Sequence, residues 1–322
     1  MRKIRTPGSV RGLLGNWQSY RNGGQISMTK VRQITVFDVP ESREGTFSIF
    51  HDESGIDAAH DRFQLHGALI VPQQKFQNTL EELIKVRHDY QGRVHFVSLR
   101  DNTENPKAKI ASDWLKLFIG ELSNYCFYKC LIVDRNSPAF DETRFTKAYH
   151  LYNFTALLAI FSGIVWSLKQ YDGISLSIFS EEASRAEEDN FVTYLPRELI
   201  NKAEKKKSGF PKITVPDMKV ILVNGDPRKV QPELAGQCEL IQLTDVITSA
   251  VSQAINAKAT QQVKIDLGKM VADWIKDTRL PPWLQAKKLH RRFSVSCFPD
   301  VNGNFYDVHL SISAKDQLKF DF

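Results

Sequence analysis

The chain has 322 residues, 42% of them hydrophobic and 25% charged, enough for a packed core and incompatible with global disorder. Its 43 Lys and Arg against 37 Asp and Glu give a net charge of +6, a mild bias toward polyanionic partners such as nucleic acid. Four cysteines, Cys126, Cys130, Cys238 and Cys297, show neither a disulfide framework nor a close Cys/His cluster, which argues against a disulfide-stapled secreted fold and suits a reducing cytoplasm.

In chain order, residues 1–44 read as a basic arm: Arg2, Lys3, Arg5, Arg11, Arg21, Lys30 and Arg32 precede the first acid, Asp38, among several glycines. Such an arm could touch phosphates. Residues 1–27 lack the apolar run of a signal peptide. Residues 46–51 form a strand that runs into Asp52-Glu53-Ser54-Gly55, and residues 62–71 (RFQLHGALIV) form a second, stopped by Pro72 and placed to make a hairpin with the first. A helix over 76–86, a short strand over 93–99 and a helix over 110–122 follow. Residues 125–133 are a strand ending at Asp134, with Cys126 and Cys130 at even separation on one face, where two buried thiols fit better than half a zinc site.

Residues 151–168 (LYNFTALLAIFSGIVWSL) carry no formal charge over about one membrane thickness. Asn153, Thr155, Ser162, Gly163 and Ser167 interrupt the run and no strongly basic flank borders it, so it reads as the buried helix of an α/β core and not as a membrane span. A strand over 174–179 then leads to Glu181 and Glu182. Lys205, Lys206 and Lys207 mark a solvated basic loop that with the arm would supply phosphate contacts, residues 218–223 a short strand, and 233–255 a long helix. Beyond residue 257, a helix over 267–276, a Pro281-Pro282 break and a hairpin of 293–298 with 305–312 form a C-terminal extension, a candidate surface for self-association or a partner protein. A hairpin followed by strands alternating with helices predicts an α/β fold with a mixed sheet flanked by helices.

The acids carry the chemistry. Asp52 and Glu53 end an apolar strand, where a rigid backbone fixes a carboxylate that water and a cation can still reach, and Gly55 lets the chain turn away. An ordinary Asp/Ser/Gly turn would look the same. In the long helix, Glu239, Gln242 and Asp245 recur every third residue as a polar stripe on an otherwise apolar rod, which is costly unless each is paired with a base or a cation. Glu181, Glu182 and Asp134 also follow strands. Several acids at one sheet rim, with one from a helix, would suit Mg²⁺ or Mn²⁺, which take oxygen ligands. His51, His66 and His95 fit hydrogen-bonded structural roles better than ligand roles. Walker, dinucleotide and serine-elbow motifs are absent.

A strand leading into Asp52-Glu53-Ser54-Gly55, a following apolar strand, and Gln242-Leu243-Thr244-Asp245 on an apolar helix together resemble the domain of unknown function 3800 family, whose second motif is Gln-Leu-Ala-Asp. The resemblance spans residues 47–251. It implies an RNase H-like core over 45–256, between the arm (1–44) and the extension (257–322), and a divalent-metal-dependent nuclease acting on DNA or RNA. By this resemblance Asp52, Glu53, Glu181, Glu182 and Asp245 are the expected catalytic acids. Asp52, Glu182, Asp245 and Asp134 are the expected ligands of Mg²⁺ or Mn²⁺, with Asp226 a further option. The departures are Arg93-Val94-His95-Phe96, where members often carry an acid, and Asn224-Gly225-Asp226, where they often carry Asp-Ser. The alternative is a non-catalytic module of the same fold that binds nucleic acid or a partner protein. A phosphatase with Asp52 as nucleophile fits less well, because Ser54 breaks the Asp-x-Asp spacing.

Overall fold

The computed structural model describes residues 43–55, 62–101, 106–182, 185–206, 210–275 and 293–299, with the backbone of 306–307, 310–312 and 318–320. Arg2, Lys3, Arg5, Arg11 and Lys207 lie outside the described residues. The chain from Ser42 onward clusters as one compact unit.

The centre is a mixed sheet in the order β5-β4-β1-β2-β3-β7-β8, with β6 (Val220–Val223) also on β4, eight strands in seven positions. β1 (Glu44–Ser54) and β2 (Phe63–Pro72) form the expected antiparallel hairpin, and β3 (Phe127–Asp134) continues it as a meander. On the other side of β1 the pairing becomes parallel: β4 (Gly173–Glu181) lies on β1, and both β5 (Lys212–Thr214) and β6 on β4. Helical crossovers carry the chain between these parallel strands. β2 is buried along almost its whole length on both faces, which is why its sequence reads as an apolar run rather than an alternation.

Four helices cover one face: α1 (Gln73–Arg87), α2 (Pro106–Gly120), α5 (Ala235–Asn256) and α6 (Gln262–Ile275). They pack on Phe50, Leu65, Leu69, Cys130 and Phe179. α3 (Ala148–Ser167) and α4 (Phe191–Glu204) cover the other face, over Phe47, Ile49, Ala68, Ile70, Leu176 and Ile178. Strand alternation therefore assigns sides: Phe50 and Asp52 face α5, while Ile49, His51 and Glu53 face α3. α5 lies close over Gly67 of β2, where a Cβ would run into the Thr248 hydroxyl and stand 2.7 Å from the Tyr128 hydroxyl, so glycine admits the helix at this depth.

α3 passes a length-and-composition test for crossing a membrane, but 56% of its apolar window is buried, against β1, β2, β3 and α4. Cys126 and Cys130 are both buried on the α5 side.

One expected strand is not formed. Residues 93–95 are an extended stretch leading into a 3-10 turn at Phe96–Ser98. Residues 257–275 and 293–299 fall in the expected C-terminal extension. They supply α6, which packs on α5, and β7 (Phe293–Phe298), which extends the central sheet in parallel beside β3. Trp274 of α6 seals that edge, 4.5 Å from the Phe293 ring and 5.8 Å from Phe118. β8 (Tyr306–Asp307) closes the predicted hairpin on β7, while β9 (Leu310–Ile312) pairs instead with β10 (Leu318–Phe320).

Candidate functional site

Asp52 sits at the end of β1 with only 4% of its surface exposed. Burial pushes its carboxyl well above the ordinary range, and the charges of Asp245, Glu53 and Glu181 push it further; the Glu53 amide acts against them with one hydrogen bond. β1 and β4 run in register up to His51 opposite Ser180, so the next positions, Asp52 and Glu181, fall side by side on adjacent strands. The stacked rings of Phe50 and Phe179, 5.1 Å apart, mark the same row one step inside the core.

The 181–182 pair is thereby divided. Glu181 lies on the face that holds Asp52, and burial raises its pKa against the opposing effect of Arg93. Its Oε1 accepts a hydrogen bond from Arg93 Nη2. Glu182, expected among the cation ligands, follows the strand and accepts a hydrogen bond from Asn224 Nδ2 at 3.2 Å.

Asp245 enters from above on α5. Its Oδ2 accepts from the Phe96 amide at 2.8 Å, its Oδ1 from the Ser249 hydroxyl at 3.2 Å, and it is 4% exposed. Desolvation lifts its pKa to about 6 despite those bonds and the nearby Arg93 and Lys264 charges. One turn back, Gln242 Oε1 accepts from the Val94 amide at 2.7 Å and from Arg87 at 2.9 Å, and one turn further Glu239 pairs with Arg87 at 2.9 Å. The polar stripe thus serves two ends. Gln242 and Asp245 hold alternate amides of the 94–96 stretch, which is why that stretch needs no strand partner on this side. Glu239 is paired with a base, one of the two outcomes expected for this stripe.

A rim of bases surrounds the acids. His95 Nε2 is 3.9 Å from Asp245 Oδ1, but burial, with Arg93 next, lowers its pKa to about 4, so it is a neutral ring at pH 7. Lys264 of α6 donates to the Val97 carbonyl at 3.0 Å, and burial lowers its pKa against the pull of Asp101 and Asp245. Arg93 stood out in the sequence only within a departure from the resembled family, and Lys264 not at all. The first lies in a stretch that read as a strand, and the second in a helix whose docking on α5 no local pattern encodes.

The remaining expected residues lie elsewhere. Glu53 points to the α3 face and accepts from the Tyr152 hydroxyl at 2.9 Å, itself contacted by Arg185 at 3.2 Å. On that face His51 and His66 are fully buried and joined at 3.1 Å, with Ser180 at 3.2 Å on one side and Thr155 at 2.8 Å on the other. Burial drives both pKa values down, that of His66 to about 3, so the pair is neutral. His66 Nε2 is also approached by the Gln64 amide nitrogen at 3.2 Å, and the Thr155 hydroxyl donates to the Leu151 carbonyl at 2.9 Å. This is a structural network. Asp134 is clamped by Arg62 at 2.9 and 2.8 Å, two strands from β1. Asp226 is held by Arg228 at 2.9 and 2.7 Å, whose hydrogen bonds pull its pKa down to about 2. Lys205 and Lys206 are exposed after α4, before β5, which pairs with the start of β4, the end away from Glu181.

Asp52, Glu181 and Asp245 are therefore the acids brought together. As oxygen donors they match a hard divalent cation in kind. Among the described residues, however, no group of three or more His, Cys, Asp or Glu side chains stands at a spacing that could hold a metal. Glu181 is engaged with Arg93 and one oxygen of Asp245 with the Phe96 amide. No protein-family model matches the chain, and no curated protein matches it.

Proposed function

We propose that this protein is a divalent-metal-dependent nuclease of RNase H-like fold that hydrolyses phosphodiester bonds of DNA or RNA. The observation that carries the proposal is the meeting of Asp52 and Asp245 on one face of the sheet, both buried and both raised in pKa, with Glu181 in the adjacent position on β4. An antiparallel meander extended by parallel strands, with acids from β1, β4 and a helix lying over them, supports the RNase H-like reading. So do the two motifs that resemble the domain of unknown function 3800 family, now carried on β1 and α5.

Asp52 and Asp245 would hold Mg²⁺ or Mn²⁺, with Glu181 as the third carboxylate. A divalent ion held there would supply charge on the phosphate and acidify a water. The chain's own part is to hold the carboxylates on rigid elements, β1 by its pairing on both sides and Asp245 by the Phe96 amide. Arg93 and Lys264 place positive charge at the rim, where a polyanionic backbone would arrive. A cytoplasmic setting and a nucleic-acid partner belong to the same proposal.

The second reading, a non-catalytic module that binds nucleic acid or a partner protein, is favoured by one observation: Arg93 already neutralises Glu181. Cleavage of labelled single- and double-stranded DNA and RNA with Mn²⁺ or Mg²⁺, with EDTA as control, decides between them. Activity that disappears in both Asp52→Asn and Asp245→Asn is the expected result. Nucleic acid bound equally by inert wild type and variants would favour the module, and cleavage surviving in both variants would refute the site.

A further inference from the structure

Side chains from three helices pin the segment that follows α1. Arg87 of α1 donates to the Tyr90 and Gly92 carbonyls at 3.3 and 2.8 Å. Gln242 and Asp245 of α5 accept from the Val94 and Phe96 amides. Lys264 of α6 donates to the Val97 carbonyl, and Asp101 ties the segment back to α6 by accepting from the Gln262 and Val263 amides at 2.9 and 2.8 Å. A loop fixed in this way presents its outward side chains in one geometry.

Val97 stands at its tip, 63% exposed. One exposed valine is ordinary on a protein surface, but the surroundings of this one are not. Burial lowers the pKa of His95 to about 4, and the charges of Arg93, Lys264 and Lys107 act in the same direction. Burial also lowers that of Lys264, with the charge of the exposed Arg100 next. Four cations thus stand within electrostatic reach of one short stretch, around an apolar tip. The acids nearby are buried or already engaged: Asp52 and Asp245 are 4% exposed, Glu181 is met by Arg93, and Asp101 by the amides of α6.

Resting on the nucleic-acid reading above, and on no metal ion, we infer that the stretch from Arg93 to Arg100 is a docking lip for a nucleic-acid strand. Arg100 meets backbone phosphates, the charges of Lys264 and Lys107 add to the attraction, and the Val97 methyls pack on a sugar or base. Nucleic acid alternates phosphate charge with apolar sugar and base surface, and the lip offers the complement of both.

The test is the anisotropy of labelled DNA and RNA, single-stranded and duplex, titrated with the full chain in EDTA over a range of salt. Val97→Asp puts a repelling charge at the tip and should weaken binding about tenfold. Val97→Ser should weaken it about threefold with unchanged salt dependence, since only apolar contact is lost. Arg100→Gln should lower the slope of log affinity against log salt by about 1, and Arg100→Lys should restore it. Arg197→Gln removes the same charge from α4, on the other face, and should change affinity by less than about twofold. Melting curves establish that each variant is folded. Equal losses in Arg100→Gln and Arg197→Gln, or no loss at Val97, would overturn the lip while leaving nucleic-acid binding standing. Poly-glutamate that displaces the labelled strand as readily as unlabelled DNA would assign the lip to an acidic protein and overturn it too. A wild type that binds none of the four probes would remove the nucleic-acid reading and this inference with it.

Discussion

Replacing Asp245 with Asn should make the metal-free protein more stable at neutral pH, not less. An acid whose pKa rises on folding holds its proton more tightly in the folded chain. The folded state is therefore favoured at low pH and loses that advantage as pH climbs from the ordinary 3.8 toward the folded value of about 6. Above pH 6 the whole penalty applies, about 3 kcal/mol for a displacement of this size. The Asp245→Asn variant would escape it, and would also lack one of the charges that raise Asp52. The amide oxygen can still accept from the Phe96 amide, although that bond loses its charge, which returns roughly 1 kcal/mol. The net gain is about 2 kcal/mol, or roughly 4–8 °C in melting temperature for a domain of this size. The assay is thermal melting of wild type and Asp245→Asn in EDTA from pH 4 to pH 8. The variant should lead at pH 8, and the gap should close as pH falls to 4. Saturating Mn²⁺ should reverse the order by stabilising the wild type alone. A variant that melts below the wild type at pH 8, with a gap independent of pH, would refute the argument that Asp245 is held as a strained carboxylate.

Other perturbations separate structural acids from the site. Arg87→Met should cost about 3–5 kcal/mol in urea unfolding, because it strands buried Glu239; adding Glu239→Gln should restore a large part, and no restoration would show that the ion pair is not the cause. Gly67→Ala should destabilise by roughly 1–3 kcal/mol through its clash with Thr248, and Thr248→Ala in the same chain should relieve it; an alanine tolerated without loss would mean α5 can move off the sheet. Asp134→Asn should leave Mn²⁺ affinity and cleavage within about twofold of wild type, since Arg62 already occupies that carboxylate, and a larger loss would return Asp134 to the site.

Asp52 and Asp245 were legible in the sequence because each is an acid set in an apolar context, one ending a strand and one on a nearly all-apolar helix. What linear sequence could not supply was facing. Whether Glu181 or Glu182 joins Asp52 depends on the register that puts His51 opposite Ser180, a pairing between segments 129 residues apart. Glu53 was separated from its neighbour by the same alternation. Arg93 was hidden for a different reason: residues 93–96 are extended, as a strand would be, but their amides are met by side chains of α5 rather than by another backbone. α4 escaped notice because Pro196 reads as a breaker, and it is accommodated within the helix. The place of β7 in the central sheet required knowing that α6 folds back on α5.

Asp52 and Asp245 contrast with the other buried acids of the molecule. Elsewhere among the described residues, four buried or nearly buried acids are each given an arginine directly: Arg87 to Glu239, Arg62 to Asp134, Arg228 to Asp226 and Arg185 to Asp189. Asp52 and Asp245, both 4% exposed, make no ion pair with Lys or Arg among the described residues. Two unneutralised carboxylates so close together oppose folding, and a chain that pairs its other buried acids has the means to pair these. A cation arriving from solution would convert that strain into affinity, because the free energy lost in holding the charges apart from a partner returns when one binds. On this reasoning the instability of the two acids and the proposed affinity for Mn²⁺ would be two measurements of one quantity. Variants that relieve the first should lose the second in proportion.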